Sequence, residues 1–93
     1  MKAIWNDRVI ADSEHTELVE GNHYFPADAI DKRYFQASDT TSFCPWKGEA
    51  SYYNIVVGDA VNKDAAWYYP AAKEKAHHIQ GMVAFWRGVQ LVA

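Results

Sequence analysis

The sequence predicts a small, mainly β domain that carries one short α-helix. Many short stretches alternate apolar and polar residues, which is the pattern of a half-buried β-strand. Turn-forming residues separate these stretches at intervals of about eight to twelve residues. A doubly wound parallel sheet is excluded, because its crossover connections require more helices than the sequence offers. We therefore expect compact hairpins around an antiparallel sheet, with residues 1–93 forming a single domain.

Four short strands are expected near the start of the chain. Lys2–Trp5 and Arg8–Asp12 are separated by an asparagine–aspartate pair, which tolerates the positive φ of a two-residue hairpin turn. Thr16–Glu20 and His23–Phe25 are two further extended stretches, with a glycine turn signal between them. The pattern predicts two consecutive hairpins.

The middle of the chain contains two longer strand signals. Pro26–Ile30 has proline at a helix-starting position but allows only one or two helical turns. Asp39–Ser42 is polar and is expected to form a turn. Glu49–Val57 is rich in β-forming residues, and Ala65–Tyr69 is an aromatic stretch that ends before a proline.

One stretch, Ala71–Gln80, has the composition of an α-helix. Its apolar residues Ala72, Ala76 and Ile79 follow the helical period, and Gly81 stands where a C-cap is expected. The helix is expected to lie on the sheet.

The last residues predict a final hairpin. Met82–Trp86 and Val89–Val92 are extended stretches on either side of an arginine–glycine turn. There is no internal repeat, low-complexity tract or linker.

Composition limits the classes of function. The nine Lys and Arg residues are scattered and the formal net charge is −3, so we expect no nucleic-acid partner. No apolar run approaches the roughly 20 residues that span a bilayer, and no signal peptide is recognisable, so a cytoplasmic protein without a membrane partner is expected. Fourteen aromatic residues (four Trp, six Tyr, four Phe) can build a core from few side chains or line a pocket.

The segment Thr41–Tyr53 carries the most chemistry. Cys44 precedes a proline, and Lys47 lies three residues further on, where an ammonium would favour the thiolate. A half-buried cysteine that packs as a small apolar residue is the alternative. Lys47 and Gly48 together can present a cation and an accessible backbone N–H to an anion, although the spacing is not that of a Walker A loop.

Aromatic side chains from two strands surround this segment in the prediction. We expect Trp46, Tyr53, Trp67 and Tyr69 to supply the walls of a cleft, although strand residues of this type also serve as core. His23 is a candidate to approach the cleft from another strand. The spacing of the four histidines matches no zinc motif, so neither a metal nor another cofactor is expected.

The same residues resemble a known family, DUF427, a domain of unknown function. The resemblance covers nearly the whole chain and is strongest in a T-x-x-C-P-x-K-G-x-A-x-Y-Y core, matched by Thr41, Cys44, Pro45, Lys47, Gly48, Ala50, Tyr52 and Tyr53. It implies a mainly β architecture similar to the β-tent folds of methionine sulfoxide reductase B. The chain lacks the paired zinc ligands of those relatives, and its single cysteine cannot run a resolving-cysteine cycle. The family is sometimes labelled a nucleotidyltransferase, but this chain lacks the G-S and D-x-D motifs of such an enzyme.

Three functions follow from this pattern. The first is binding of a small polar or anionic ligand in an aromatic cleft beside the Cys44–Gly48 loop. The second is an enzyme that uses Cys44 or Lys47. The third is a non-catalytic module that uses exposed aromatic strand edges, either to bind another protein or to form homo-oligomers.

Overall fold

The computed structural model describes all residues from 1 to 93. It contains short 3-10 helices at Ala27–Ala29, Lys32–Tyr34 and Glu74–Ile79. Its nine strands are β1 (Lys2–Trp5), β2 (Arg8–Asp12), β3 (Glu17–Val19), β4 (Asn22–Tyr24), β5 (Phe35–Cys44), β6 (Gly48–Val57), β7 (Ala60–Tyr68), β8 (Val83–Phe85) and β9 (Gln90–Val92). The predicted mainly β, antiparallel architecture is confirmed. None of the helices has the length and apolar character needed to cross a membrane.

The strands form three antiparallel sheets. One sheet has the order β2-β1-β9, a second is the β3-β4 hairpin, and the largest has the order β5-β6-β7-β8. The β1-β2 hairpin has the predicted turn, with Asn6 and Asp7 at φ values of 50° and 62°. The residue after β4, Phe25, exchanges two 2.8 Å backbone hydrogen bonds with Val83, so the small hairpin is attached to the edge of the largest sheet.

The four-stranded sheet separates two apolar clusters. On one face, Ile55, Val83 and Phe85 pack with Ala3 and Ile10 of the three-stranded sheet. The other face is covered by the last 3-10 helix and the β3-β4 hairpin, and its cluster contains Tyr24, Ala50, Tyr69, Ala76, Ile79 and Ala84. Burial of apolar side chains on both faces fixes the layers of the fold.

The longest element that the sequence analysis missed is β5. Its residues include Asp39–Ser42, which were expected to form a turn because polar residues dominate them. They form a strand because β5 lies at the edge of the sheet, where most of its side chains face water. Pairing of Thr41 and Ser42 with β6 therefore holds the second half of this segment extended without a continuous apolar pattern.

The α-helix predicted over residues 71–80 is not formed. Its place is taken by the 3-10 helix Glu74–Ile79. Lys73 stays extended because its backbone N–H donates to the Lys47 carbonyl at 2.9 Å, and Gln80 leaves the helix at ψ 127°. Only six residues remain, and Ala76 and Ile79 are the two that are buried.

The predicted final hairpin is also wrong. β8 pairs with β7, whereas β9 pairs with β1, so the last two strands belong to different sheets. The turn at Arg87 and Gly88 does form, with φ values of 53° and 85°. β8 has no free edge for β9, because it pairs with β7 on one side and its Val83 exchanges two backbone hydrogen bonds with Phe25 on the other.

Asp64 joins several strands at a point where their regular pairing is interrupted. Residue pairing shifts between Ala37 and Thr41 in β5 and between Tyr53 and Ile55 in β6. The Asp64 carboxylate accepts hydrogen bonds from Ser38 at 2.5 Å and Thr40 at 2.8 Å. These bonds reach from β7 across β6 to β5, so one buried carboxylate fixes the irregular middle of the sheet.

The backbone of Asp64 is equally constrained. Its φ is 54°, a left-handed conformation that aspartate tolerates better than most residues. Its N–H donates to the Asn54 side chain at 2.9 Å, and its carbonyl accepts the Trp86 indole N–H at 2.5 Å. The hydrogen bond from Ser38, aided by Thr40, lowers the pKa of the Asp64 carboxyl group although burial acts in the opposite direction.

Replacement of Asp64 with asparagine is expected to destabilise the fold by about 1–2 kcal/mol at neutral pH, because a charged acceptor of two hydroxyl hydrogen bonds is lost. Asparagine keeps the tolerance for positive φ, so backbone strain is not added. Because the pKa of Asp64 is lowered in the folded state, its contribution is complete above the unfolded value near 4 and disappears as the pH falls through the folded value.

Urea unfolding of the wild-type protein and Asp64→Asn, measured between pH 3 and 7, checks this expectation. The difference between the two should be largest at neutral pH and shrink below about pH 4. A difference that is constant over this range would contradict a role for the ionised carboxylate.

Candidate functional site

The Cys44–Gly48 segment connects β5 to β6 and turns its lysine inward. Lys47 is only 6% exposed, whereas Trp46 beside it is 36% exposed. Gly48 makes this path possible, since its φ of 110° lies where residues with a side chain are strained. A Cβ at Gly48 would lie 3.3 Å from the Ala71 carbonyl oxygen. The glycine therefore lets the loop close tightly against the chain that follows β7.

Lys73 holds the loop from the outside. Its backbone N–H bonds to the Lys47 carbonyl at 2.9 Å, and its ammonium donates to the Pro45 carbonyl at 2.7 Å. The same ammonium lies 5.0 Å from the centre of the exposed Phe43 ring. Two hydrogen bonds from one residue thus fix the backbone on which Lys47 is carried.

The Lys47 ammonium lies among aromatic rings and one carboxylate. It is 5.2 Å from the centre of the Trp46 ring and 5.7 Å from that of the Tyr69 ring, within the range of cation–π attraction. Its ion-pair partner is Glu20 in the turn between β3 and β4. The Lys47 side chain is 8% exposed and that of Glu20 is 55% exposed, so a buried cation meets a surface anion.

These contacts shift the ionisation of both partners. Burial is the largest effect on Lys47 and disfavours its charge, but the hydrogen bond to Glu20 and the neighbouring Tyr24 and Tyr69 together raise its pKa. The pKa of Glu20 is lowered, chiefly by the hydrogen bond from Lys47, and Trp46 acts in the same direction. Burial raises the pKa of Tyr69. At neutral pH the site therefore contains an ammonium, a carboxylate and the neutral phenol of Tyr69.

Cys44 lies beside this group and is half-buried. It packs against the apolar cluster that contains Tyr69, together with Tyr52 and Trp67. Trp67 donates its indole N–H to the Tyr24 hydroxyl at 3.2 Å. The structure thus brings together six of the eight residues predicted as ligand-binding candidates: Cys44, Trp46, Lys47, Gly48, Trp67 and Tyr69.

The remaining two candidates lie elsewhere. Tyr53 is on the opposite face of the four-stranded sheet, where it stacks on Tyr68 with ring centres 4.8 Å apart. His23 forms a 2.9 Å hydrogen bond with Thr16 across its own hairpin. Tyr53 follows Tyr52 directly in β6, and successive strand residues point to opposite faces, so only one of these two tyrosines can face the Cys44 side.

Two residues of the site were missed by the sequence analysis. Glu20 was assigned only to the end of a strand, and Tyr24 only to a short strand. Glu20 occupies a turn position with φ 52°, where asparagine or glycine is usual. That unusual choice of residue before Gly21 was the available signal, but the 27-residue separation from Lys47 gave no indication of the ion pair.

The predicted open cleft is not present beside the loop. The structure contains no pocket that would enclose a small molecule, and no group of three or more His, Cys, Asp or Glu side chains is arranged as a metal site. The space next to the Lys47 ammonium is occupied by the Glu20 side chain.

Comparison with known proteins gives a match along almost the whole chain. The model of a protein family described as a domain of unknown function, DUF427, matches residues 1–92. No curated protein matches the sequence. The family match spans the Cys44–Gly48 loop, both apolar clusters and the Glu20 turn.

Replacement of Gly48 with alanine is expected to destabilise the domain by about 2–3 kcal/mol, because the new Cβ adds strain at this φ and crowds the Ala71 carbonyl. Gly58→Ala is the matched control. Gly58 also has a positive φ, 58°, but a Cβ there meets no atom within 4 Å, so a loss of about 1 kcal/mol is expected. Thermal and urea unfolding of both variants test the difference; equal losses would contradict the close approach at Gly48.

Proposed function

The chain belongs to the DUF427 family of domains of unknown function, and we propose that it is a small binding domain that holds an anionic ligand at the Lys47 ammonium. The observation that supports this proposal is the environment of that ammonium. A lysine side chain that is only 8% exposed is neutralised by a glutamate that is 55% exposed. Its counter-ion is thus in contact with water and can be exchanged.

The energetics of burial favour an anion at this point. A buried ammonium requires a negative partner, since an unpaired buried charge is strongly destabilising. Exposed carboxylates, in contrast, contribute little when they pair, because water solvates them well. The rings of Trp46 and Tyr69 add cation–π attraction and fix the position of the charge. A ligand anion can take the place of Glu20 without a change in the core.

Catalysis by Lys47 is less well supported. A lysine acts as nucleophile or base when its pKa is lowered, whereas the pKa of Lys47 is raised by Glu20 and the neighbouring tyrosines. Cys44 packs with Tyr52 and Tyr69, in an apolar cluster. This arrangement favours the non-catalytic version of the proposal.

A second candidate function is self-association through the open edge of the large sheet. β5 is an edge strand of ten residues, and Phe43 near its end is 66% exposed. Trp46 extends this apolar surface. Edge strands with exposed aromatic residues favour pairing with another chain, and a second copy of this domain offers a matching edge.

Replacement of Lys47 with methionine is expected to weaken the binding of anions at least tenfold while the domain stays folded, since methionine fills the apolar surroundings without charge. Acetate and inorganic phosphate are the probes, with sodium chloride added to hold ionic strength constant. The indole N–H signal of Trp46 in NMR spectra reports binding. Lys75→Met, which removes an exposed charge, should leave binding unchanged; equal binding by Lys47→Met and wild type would contradict the proposal.

Self-association is tested separately by sedimentation of the wild-type protein and Phe43→Ser over a range of concentrations. If β5 pairs two copies, the wild-type protein forms dimers and the substitution weakens them, because it removes exposed apolar area from the interface. A wild-type protein that stays monomeric at high concentration would contradict this second function.

A further inference from the structure

Glu20 is unusual both in its backbone and in its reach. It stands at the tip of the β3-β4 turn with φ 52°, followed by Gly21 at φ 81°. Residues with a long side chain are uncommon at this left-handed position, which suits asparagine or glycine. From the turn, the side chain extends to the Lys47 ammonium in a loop that belongs to another sheet. The ion pair thus joins the tip of the β3-β4 hairpin to the loop of the next hairpin, 27 residues further along the chain.

The partner of Glu20 is held far more firmly than Glu20 itself. Lys47 is fixed by its buried stem, by the rings of Trp46 and Tyr69, and by the backbone hydrogen bond from Lys73. The Glu20 side chain, more than half exposed, rests on this cation from the solvent side. Loss of the contact would leave Glu20 hydrated but Lys47 buried without a counter-ion. Loss of the ion pair therefore costs more free energy at the buried cation than at the exposed glutamate.

The Glu20 carboxylate also indicates which class of anion fits the site. The group now paired with Lys47 is a carboxylate on a short flexible chain, and Trp46 lies beside the same carboxylate, whose pKa it helps to lower. The charge at the site is one ammonium, which balances one carboxylate. A phosphate dianion would bring a second negative charge, which Lys47 alone does not balance, and the Glu20 carboxylate would still lie close by.

We infer that Glu20 is an intramolecular ligand of the anion site. In the ligand-free domain its carboxylate covers the Lys47 ammonium. An external carboxylate takes its place and frees the β3-β4 turn from its contact with Lys47. This inference rests on the proposed function, because it specifies the ligand class and the control of the same site. A tethered carboxylate competes with any free one, so the apparent affinity is reduced by the fraction of molecules in which Lys47 is covered.

Removal of the competing carboxylate tests the inference. Glu20→Gln keeps the length of the side chain but removes its charge, and Glu20→Ala removes its reach as well. Both are expected to bind acetate about five- to tenfold more tightly than the wild-type protein. Glu17→Gln is the matched control, because it removes one negative charge from the same hairpin but from a residue that pairs with His15. Its affinity for acetate should equal that of the wild type.

Acetate and inorganic phosphate are titrated at constant ionic strength, with the Trp46 indole N–H and the Gly21 amide as NMR reporters. In the wild-type protein, saturation with acetate should shift both signals, because Glu20 leaves as the ligand enters. In Glu20→Gln, the Gly21 shift should be much smaller, because the turn is already released. The folded state of each variant is verified from the dispersion of its spectrum.

Each other outcome is decisive. Equal acetate affinity in the wild type and both Glu20 variants overturns the role of Glu20 and leaves the proposed function intact. Tighter binding of phosphate than of acetate by Glu20→Gln overturns the carboxylate class alone. A saturable shift in none of the folded proteins overturns the inference together with the proposed function.

Discussion

The hydrogen bonds of Asp64 connect the strands on which the rest of the structure depends. Its carboxylate reaches Ser38 and Thr40 in β5, its N–H reaches Asn54 in β6, and its carbonyl holds Trp86 after β8. All four strands of the large sheet are therefore fixed relative to one another at one level. Side chains that alternate along these strands form an apolar cluster on each face, with the three-stranded sheet on one side and the Lys47 site on the other.

The Lys47 site shows how a small domain can bury a charge without a cavity. A domain of this size has little interior to spare, and its aromatic side chains fill both clusters. The ammonium is sheltered by rings that already belong to the packing, and the negative partner comes from a surface turn. The arrangement holds one cation in a defined position, between aromatic rings that also belong to the core.

Local sequence predicted the parts of the fold that depend on local interactions. The first hairpin follows from Asn6 and Asp7, and the strand at Glu49–Val57 follows from its β-forming residues. β5 was missed because an edge strand needs no apolar pattern, and the last hairpin was wrong because β9 is stabilised by β1 at the other end of the chain. In the site, the loop from Cys44 to Gly48 was found from its residue types. The position of Tyr53 and the pairing of Glu20 depend on strand facing and on long-range contacts, which residue types alone do not specify.

The position of β9 has a consequence for the order of folding. Lys2, Ala3 and Ile4 pair with Val92, Leu91 and Gln90, so one sheet joins residues about ninety positions apart. Such a contact closes a very long loop, and the entropy of that closure opposes it until other parts of the chain are already compact. From this topology we expect the β1-β2 hairpin to form early, because it is local, and β9 to join it last, after the central sheet has brought both segments together. Folding of this domain is thus expected to be slow for its size, with a rate governed by topology.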